Sequence, residues 1–260
     1  MALPELSRAA PRPEPESPFS ASPDWELMLS RPPKPGGVAR LASQITRRDL
    51  AAAKDLSIHV CLTGVQLEAL HFKGVSRKTA RERLGFLSRA GFLLRHALVN
   101  KNARRAVPFY TLGPLGAESL NLDFDPRSLR QLTPAWVARL LSASQLWLRL
   151  SRIDHADFEP GDRPFAARIR FRELDFDVAS VRSVPGDAET AVRELSWIDQ
   201  GRIIVVAASR ALMLQVAGGL PGRPVRYTTD RDLFASPLHL AFYAESGGEV
   251  SRVDVPLFKE

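Results

Sequence analysis

Three residues suited to starting a helix and one suited to ending it punctuate a single basic stretch, and they leave few folds open to it. They are Thr46, Thr63, Ser76 and Gly91. In VSRKTARERLGFLSRAGFLLR (75–95), Ser76 is placed to accept from the free amides of a helix's first turn, and Gly91 stands where a helix stops in a left-handed residue. Between them Ala80, Leu84 and Leu87 fall at i, i+4 and i+7, so the spacing predicts a helix over 76–90 with one apolar side. Lys78, Glu82, Gly85 and Arg89 point the opposite way, and Arg77 and Arg81 flank the border. The first two turns thus offer Arg77, Lys78 and Arg81 to a partner. Gly85 costs such a helix about 1 kcal/mol relative to Ala. Two explanations are open: a backbone or groove wall comes close there, or the site is under little pressure.

The flanks repeat this punctuation. Thr46, with Asp49 three residues on, caps a helix whose Leu50, Ala53 and Leu56 recur at steps of three. Thr63 caps a second helix over TGVQLEALHF (63–72), with Val65, Leu67 and Leu70 as its apolar positions. KGV (73–75) is a short turn. After Gly91, FLLRHALV (92–99) and VPFYTL (107–112) read as strands joined by the basic turn NKNARRA (100–106), a hairpin. GPLGAESLNL (113–122) starts a fourth helix. Three helices followed by a hairpin is the order of a winged helix-turn-helix, in which the third helix enters the major groove. In that frame Ser76, Arg77, Lys78 and Arg81 face phosphates and base edges. Lys101, Arg104 and Arg105 in the wing neutralise phosphates, and Arg47 and Arg48 at the start of the first helix touch the backbone.

Charge agrees with this placement. The chain carries a net +7, yet Ile45 to Tyr110 alone holds 13 Lys and Arg against 4 Asp and Glu, a surplus of nine, so the rest is net −2. A field so concentrated attracts polyanions, most often nucleic acid. At 45% hydrophobic and 25% charged the composition is that of an ordinary soluble domain. No apolar run approaches the roughly 18 residues that span a bilayer, and the proline- and charge-broken N-terminus lacks an apolar signal core. The single cysteine, Cys61, excludes an intrachain disulfide and a thiolate metal cluster, and a reducing cytoplasmic setting is the default.

Residues 1–40 hold nine of the twenty prolines and few apolar residues, which predicts a disordered or extended arm, with DWELMLS (24–30) more readily a transiently ordered patch than a short docking segment. Beyond the basic stretch, TPAWVARLLSASQLWLRLSRI (133–153) is a long amphipathic helix capped by Thr133 with Pro134 at its first position. Trp147 lies in its apolar stripe and belongs to a core or to a homodimer contact. FAARIRF (165–171), LDFDVASV (174–181), RIIVVAAS (202–209), RPVRYTTD (223–230) and LHLAFYAES (238–246) read as strands. RALMLQVAGGL (210–220) reads as a short helix, and ETAVRELSWIDQG (189–201) as a helix or a loop. Strand, helix, strand predicts a parallel α/β unit.

Glu173, Asp175, Asp177 and Glu194 invite comparison with restriction-endonuclease-like domains, whose carboxylates gather around Mg²⁺, usually beside a lysine. No lysine lies between Lys101 and Lys259, and alternation puts Glu173, Asp175 and Asp177 on one face opposite Leu174, Phe176 and Val178, the pattern of a half-buried strand. The five histidines are scattered and HVC (59–61) alone is a weak metal motif. GGLPG (218–222) lacks the Lys-Ser/Thr of a phosphate loop, and serine-hydrolase motifs are missing.

ITRRDL, LTGVQLEALHFKGVSRKTARERLGFLSRAGFLLR and FYTLGPLGAESL, taken in order, resemble the replication-relaxation family of bacterial and plasmid proteins. SRKTARERLGFLSRAGFLLR with YTLGPLGA carries most of that likeness. LLSASQLWLRL (140–150) is similar to that family's linking helix, and residues 201–234 to its C-terminal α/β part. The resemblance implies an N-terminal winged helix and a role in plasmid replication or relaxation, or in regulating nearby genes. The expectation is therefore an α+β or α/β chain with a Pro-rich arm (1–40), a winged helix-turn-helix domain (41–122) and an α/β domain with a linking helix (123–258). Its expected role is non-catalytic binding of double-stranded DNA, with no cofactor, no catalytic or metal residues, no membrane and a possible homodimer. The alternatives are an Mg²⁺-dependent nuclease or nickase using the C-terminal carboxylates, and a winged helix that docks a protein.

Overall fold

The computed structural model describes Ser17, Phe19, 24–32, 44–100, Asn102 and 104–259, and the following account is of those residues. They form a mixed α+β protein with eight α-helices and two sheets. In chain order the first half has β1 (Trp25–Met28), α1 (Arg47–His59), β2 (Leu62–Thr63), α2 (Gly64–His71), α3 (Arg77–Arg89), β3 (Leu93–Asn100), β4 (Arg105–Leu112) and α4 (Pro114–Ser119). The second half has α5 (Pro134–Leu150), β5 (Ala156–Pro160), β6 (Phe165–Phe171), β7 (Leu174–Val181), α6 (Asp187–Ser196), β8 (Arg202–Ala207), α7 (Arg210–Gly218), β9 (Val225–Thr229), α8 (Asp230–Ala235), β10 (Phe242–Ser246) and β11 (Glu249–Val253).

The expected caps form. Thr46 and Asp49 make a reciprocal capping box at α1, and Thr63 and Gln66 make another at α2. Ser76 accepts from the Thr79 amide at 3.2 Å, and Gly91 ends α3 at φ 76°. The hairpin pairs Leu93 with Leu112 through to Asn100 with Arg105.

Part of the expected arm is not free. Trp25–Met28 adds as an antiparallel strand to β3, Trp25 opposite Asn100, and Trp25 is buried. Four ladder positions and one buried indole outweigh the low apolar content averaged over forty residues. Ser17 and Phe19 are buried as well. Of the arm, residues 1–16, 18, 20–23 and 33–40 lie outside the described residues, as does Lys101. The first sheet has the order β1-β3-β4-β2.

The second sheet has the order β11-β10-β9-β8-β7-β6-β5, with β7, β8 and β9 parallel and the outer pairings antiparallel. The parallel α/β unit is thus β7–α6–β8–α7–β9. RIIVVA is apolar throughout because both faces of β8 are covered: Ile204 and Val206 join the cluster under α5, while Ile203, Val205 and Ala207 join the cluster under α6 and α7. Strands β5 and β11 and helix α8 carry no clear sequence signal. β5 and β11 mix polar and apolar residues because they lie at the sheet's edges. LHLAFYAES is a strand only from Phe242; Leu238–Leu240 is a 3₁₀ turn.

Helix α5 joins the two halves and is buried all round from Leu140 to Leu150. Trp147 packs in the core beside His59 and Phe158, with ring centroids 4.1 Å from His59, and its Nε1–H donates to the Ala156 carbonyl at 2.8 Å. Enclosed within its own chain, it is not available as a dimer contact.

Candidate nucleic-acid interface

Helix α3 presents the two sides its sequence predicts. Ala80, Leu84 and Leu87 are buried against α1, α2 and the hairpin, and Arg77, Lys78, Arg81, Glu82 and Arg89 are exposed. Arg47, Arg77, Lys78 and Arg104 make no ion pair or hydrogen bond among the described residues, and all are exposed. The Arg81 side chain is 71% exposed and lies 3.9 Å from Glu68, too far for a hydrogen bond. The Ser76 hydroxyl is engaged in the cap, 2.8 Å from Thr79 Oγ1.

Arg83, the fourth cation of the stretch, behaves differently. Arg83 turns inward to Asp49, with Nε donating to Oδ1 at 3.1 Å, and Nη2 donates to the Gln44 carbonyl at 2.6 Å. Asp49 is fully buried. Burial alone would raise its pKa, but hydrogen bonds from Arg83 and Thr46 outweigh that and hold it below the ordinary carboxylate range. Asp49 is legible in the sequence as a cap partner; its second role as the anchor of α3 is not.

This anchor ties the start of α1 to the middle of α3. A groove of about 490 Å³ lies between them, lined by Arg47, Arg48, Phe72, Thr79 and Arg83 among others. Arg48 lies over the Phe72 ring at 5.6 Å, which fixes its stem against the groove wall. Both helices lead with two cations, Arg47–Arg48 and Arg77–Lys78, at the positive end of the helix dipole, and α3 has no acidic residue in its first turn. Each such like-charge placement costs a surface helix about 0.3–1 kcal/mol, and an external anion would reverse the sign.

In the hairpin, Arg104 takes a left-handed φ of 50° at the tip and Arg105 opens β4, both exposed. Their end of the hairpin is the one that β1 joins.

The carboxylates of the second half do not converge. Asp175 and Asp177 share the open face of β7, but each is taken by an arginine of β6: Arg170 Nε to Asp175 at 2.9 Å and Arg168 Nε to Asp177 at 2.8 Å. The Arg170 hydrogen bond holds the Asp175 carboxyl below its ordinary range. Glu173 is not on the strand face; it sits in the β6–β7 turn at φ 63°. Glu194 lies on α6. Among the described residues, no three His, Cys, Asp or Glu side chains are grouped so as to hold a metal ion.

Sequence reasoning missed a polar cluster at the carboxyl ends of β7 and β9. Arg182 and Asp230 are both fully buried and paired at 2.5 Å. Ser142 of α5 donates to Asp230 at 2.7 Å, and Ser17 donates to the same carboxylate. Arg182 also donates to the Val206 carbonyl at 2.7 Å. No periodic signal marks two charges 48 residues apart. Among the described residues no helix is long and apolar enough to cross a membrane. Comparison with protein-family models, with curated proteins and with solved structures finds no match.

Proposed function

We propose that this protein binds double-stranded DNA without catalysing a reaction on it, through α3 and its flanks, in the control of plasmid replication or of transcription in the cytoplasm. The observation that carries the reading is the pair of helix starts, each led by two solvent-facing cations without carboxylate partners, with Arg47 and Arg48 lining the groove between the two helices. A polyanion supplies the counter-charge that these exposed cations lack, above all at the start of α3, whose first turn holds no acidic residue. Helices α1 to α3 and the β3–β4 hairpin follow the winged helix-turn-helix order, so α3 is the recognition helix and Arg104 and Arg105 belong to the wing. The resemblance to the replication-relaxation family supports the same reading. Two copies on two half-sites suit this class of binder, with a dimer contact formed away from Trp147.

The test is fluorescence anisotropy with duplex DNA at several salt concentrations. Log affinity falls linearly with log salt, with a slope of about −4 to −6 if five or six phosphates are neutralised. Weak binding at low salt, or a flat salt dependence, overturns the reading. A protection footprint on the upstream region of its own gene then separates specific from non-specific binding.

A further inference from the structure

A cavity of about 520 Å³ opens where α2, α3 and the β3–β4 hairpin meet the second half of the chain. Gln145 of α5 and Phe234 of α8 stand on its far side. Gly85 is one of its lining residues. A Cβ there would meet nothing nearer than Arg89 Nη1, at 3.5 Å, so close packing does not require glycine.

The walls are of two kinds. Leu84, Val107, Pro108 and Phe234 make an apolar surface. Opposite chemistry gathers around Tyr110, which is 6% exposed yet has no hydrogen-bond partner for its hydroxyl among the described residues. Burial pushes the Tyr110 phenol up, while Arg95 and Arg81 lie close enough to pull it back and Glu68 to raise it further. The Arg95 side chain has no partner among the described residues, and Arg81 is only loosely opposed by Glu68. Two guanidinium groups against one carboxylate leave one positive charge uncompensated at the edge of a half-apolar cavity.

We infer that this cavity is a binding site for a small organic acid, its carboxylate received by Arg95, Arg81 and the donating Tyr110 hydroxyl, its ring-sized apolar body lying on Leu84, Val107 and Pro108. The arrangement is that of a typical small-molecule site, mostly apolar with a few convergent polar groups. The site stands whether or not α3 grips DNA: it shares only Arg81 with the side of α3 assigned to DNA, and its lining includes no residue of the groove between α1 and α3.

Calorimetric titration of the full chain with naphthylacetate and with the uncharged naphthylacetamide tests it. The acid binds at least about tenfold tighter than the amide, the worth of charge-assisted hydrogen bonds. Arg95→Gln and Arg81→Gln each bring the acid down toward the amide without changing the amide. Gly85→Leu abolishes binding of both while the thermal unfolding temperature holds or rises, since the substitution also improves helix propensity. Equal affinity for acid and amide, full acid affinity in Arg95→Gln or in Gly85→Leu, or no saturable heat at millimolar acid overturns the site.

Discussion

Arg83 of α3 donates through Nε to Asp49 of α1 at 3.1 Å, and the acceptor is a fully buried carboxylate that also completes the cap of its own helix. One carboxylate therefore sets both where α1 starts and how α3 lies against it. Removing Arg83 leaves that charge buried and under-satisfied, so Arg83→Leu should destabilise the protein by about 3 kcal/mol in denaturant unfolding. Arg83→Lys should recover only part of this, because an ammonium cannot reproduce a forked contact. A loss below 0.5 kcal/mol would show that the clamp does not position α3.

On the outward side of α3, substitutions should act on binding and not on folding. Arg77→Ala and Lys78→Ala should leave the unfolding midpoint unchanged or slightly raised, since each removes a cation from the positive helix end. Each should weaken DNA binding and lower the magnitude of the salt slope by about 1. Glu82→Gln, on the same exposed face, should strengthen binding. Unchanged salt slopes in both alanine variants would remove α3 from the interface.

Acid should loosen the chain at defined places. His96 accepts from the Ser30 amide at Nδ1 (3.0 Å), so its proton is on Nε2, which donates to Thr111 at 2.9 Å. Burial lowers the His96 pKa to about 4, and that of His59, held between Trp147 and Phe158, also to about 4. Both folded values lie below the unfolded value near 6.5, so the unfolded chain binds protons first. The stability these groups confer is complete above about pH 6.5 and is lost as pH falls toward about 4. Asp49, also depressed, adds a loss in the same direction at lower pH. Unfolding free energy should thus drop between pH 7 and 4.5 by up to roughly 3 kcal/mol for each histidine. His96→Gln should remove about half of that drop, and in the parent protein the protection factors of the 25–28 amides, corrected for intrinsic exchange, should fall as pH drops through about 4, where protonation of His96 breaks the Ser30 contact. A pH-independent free energy across this range would refute the assignment.

The Arg182–Asp230 pair should be costly to break singly and cheap to replace whole. Asp230→Ala should cost about 3–5 kcal/mol by leaving the Arg182 guanidinium buried without its carboxylate. Arg182→Met with Asp230→Leu should cost less than the sum of the single changes by at least about 1 kcal/mol. Additive losses in the cycle would mean that the two charges are not coupled.

For the carboxylates of β7, Asp175→Ala should leave supercoiled plasmid as intact in the presence of Mg²⁺ as the parent protein leaves it, because Asp175 is committed to Arg170. Cleavage by the parent protein that disappears in Asp175→Ala would establish the nuclease alternative instead.

Much of the first half was legible because its signals are local. Thr46, Thr63, Ser76 and Gly91 act on amides or carbonyls within a few residues, and the apolar period of α3 reports the face that Ala80, Leu84 and Leu87 bury. Strand β1 was not legible, since its burial depends on the free edge of β3, some seventy residues away. Nor was the 520 Å³ cavity, whose walls come from seven separate elements, β2, α2, α3, β3, β4, α5 and α8, that only folding brings together.

The chain's sequence by itself determined that a basic, capped, one-sided helix follows two others and precedes a hairpin, because caps and periodicity are encoded by neighbours. It did not distinguish Arg83 from Arg77. Both are arginines on one helix, six residues apart, yet Arg77 stands in solvent and Arg83 is held by Asp49, 34 residues back in the chain. Only tertiary structure decided which cations are left for a partner. A charge stays available unless folding brings an opposite charge within reach, and that encounter is a property of packed helices in three dimensions.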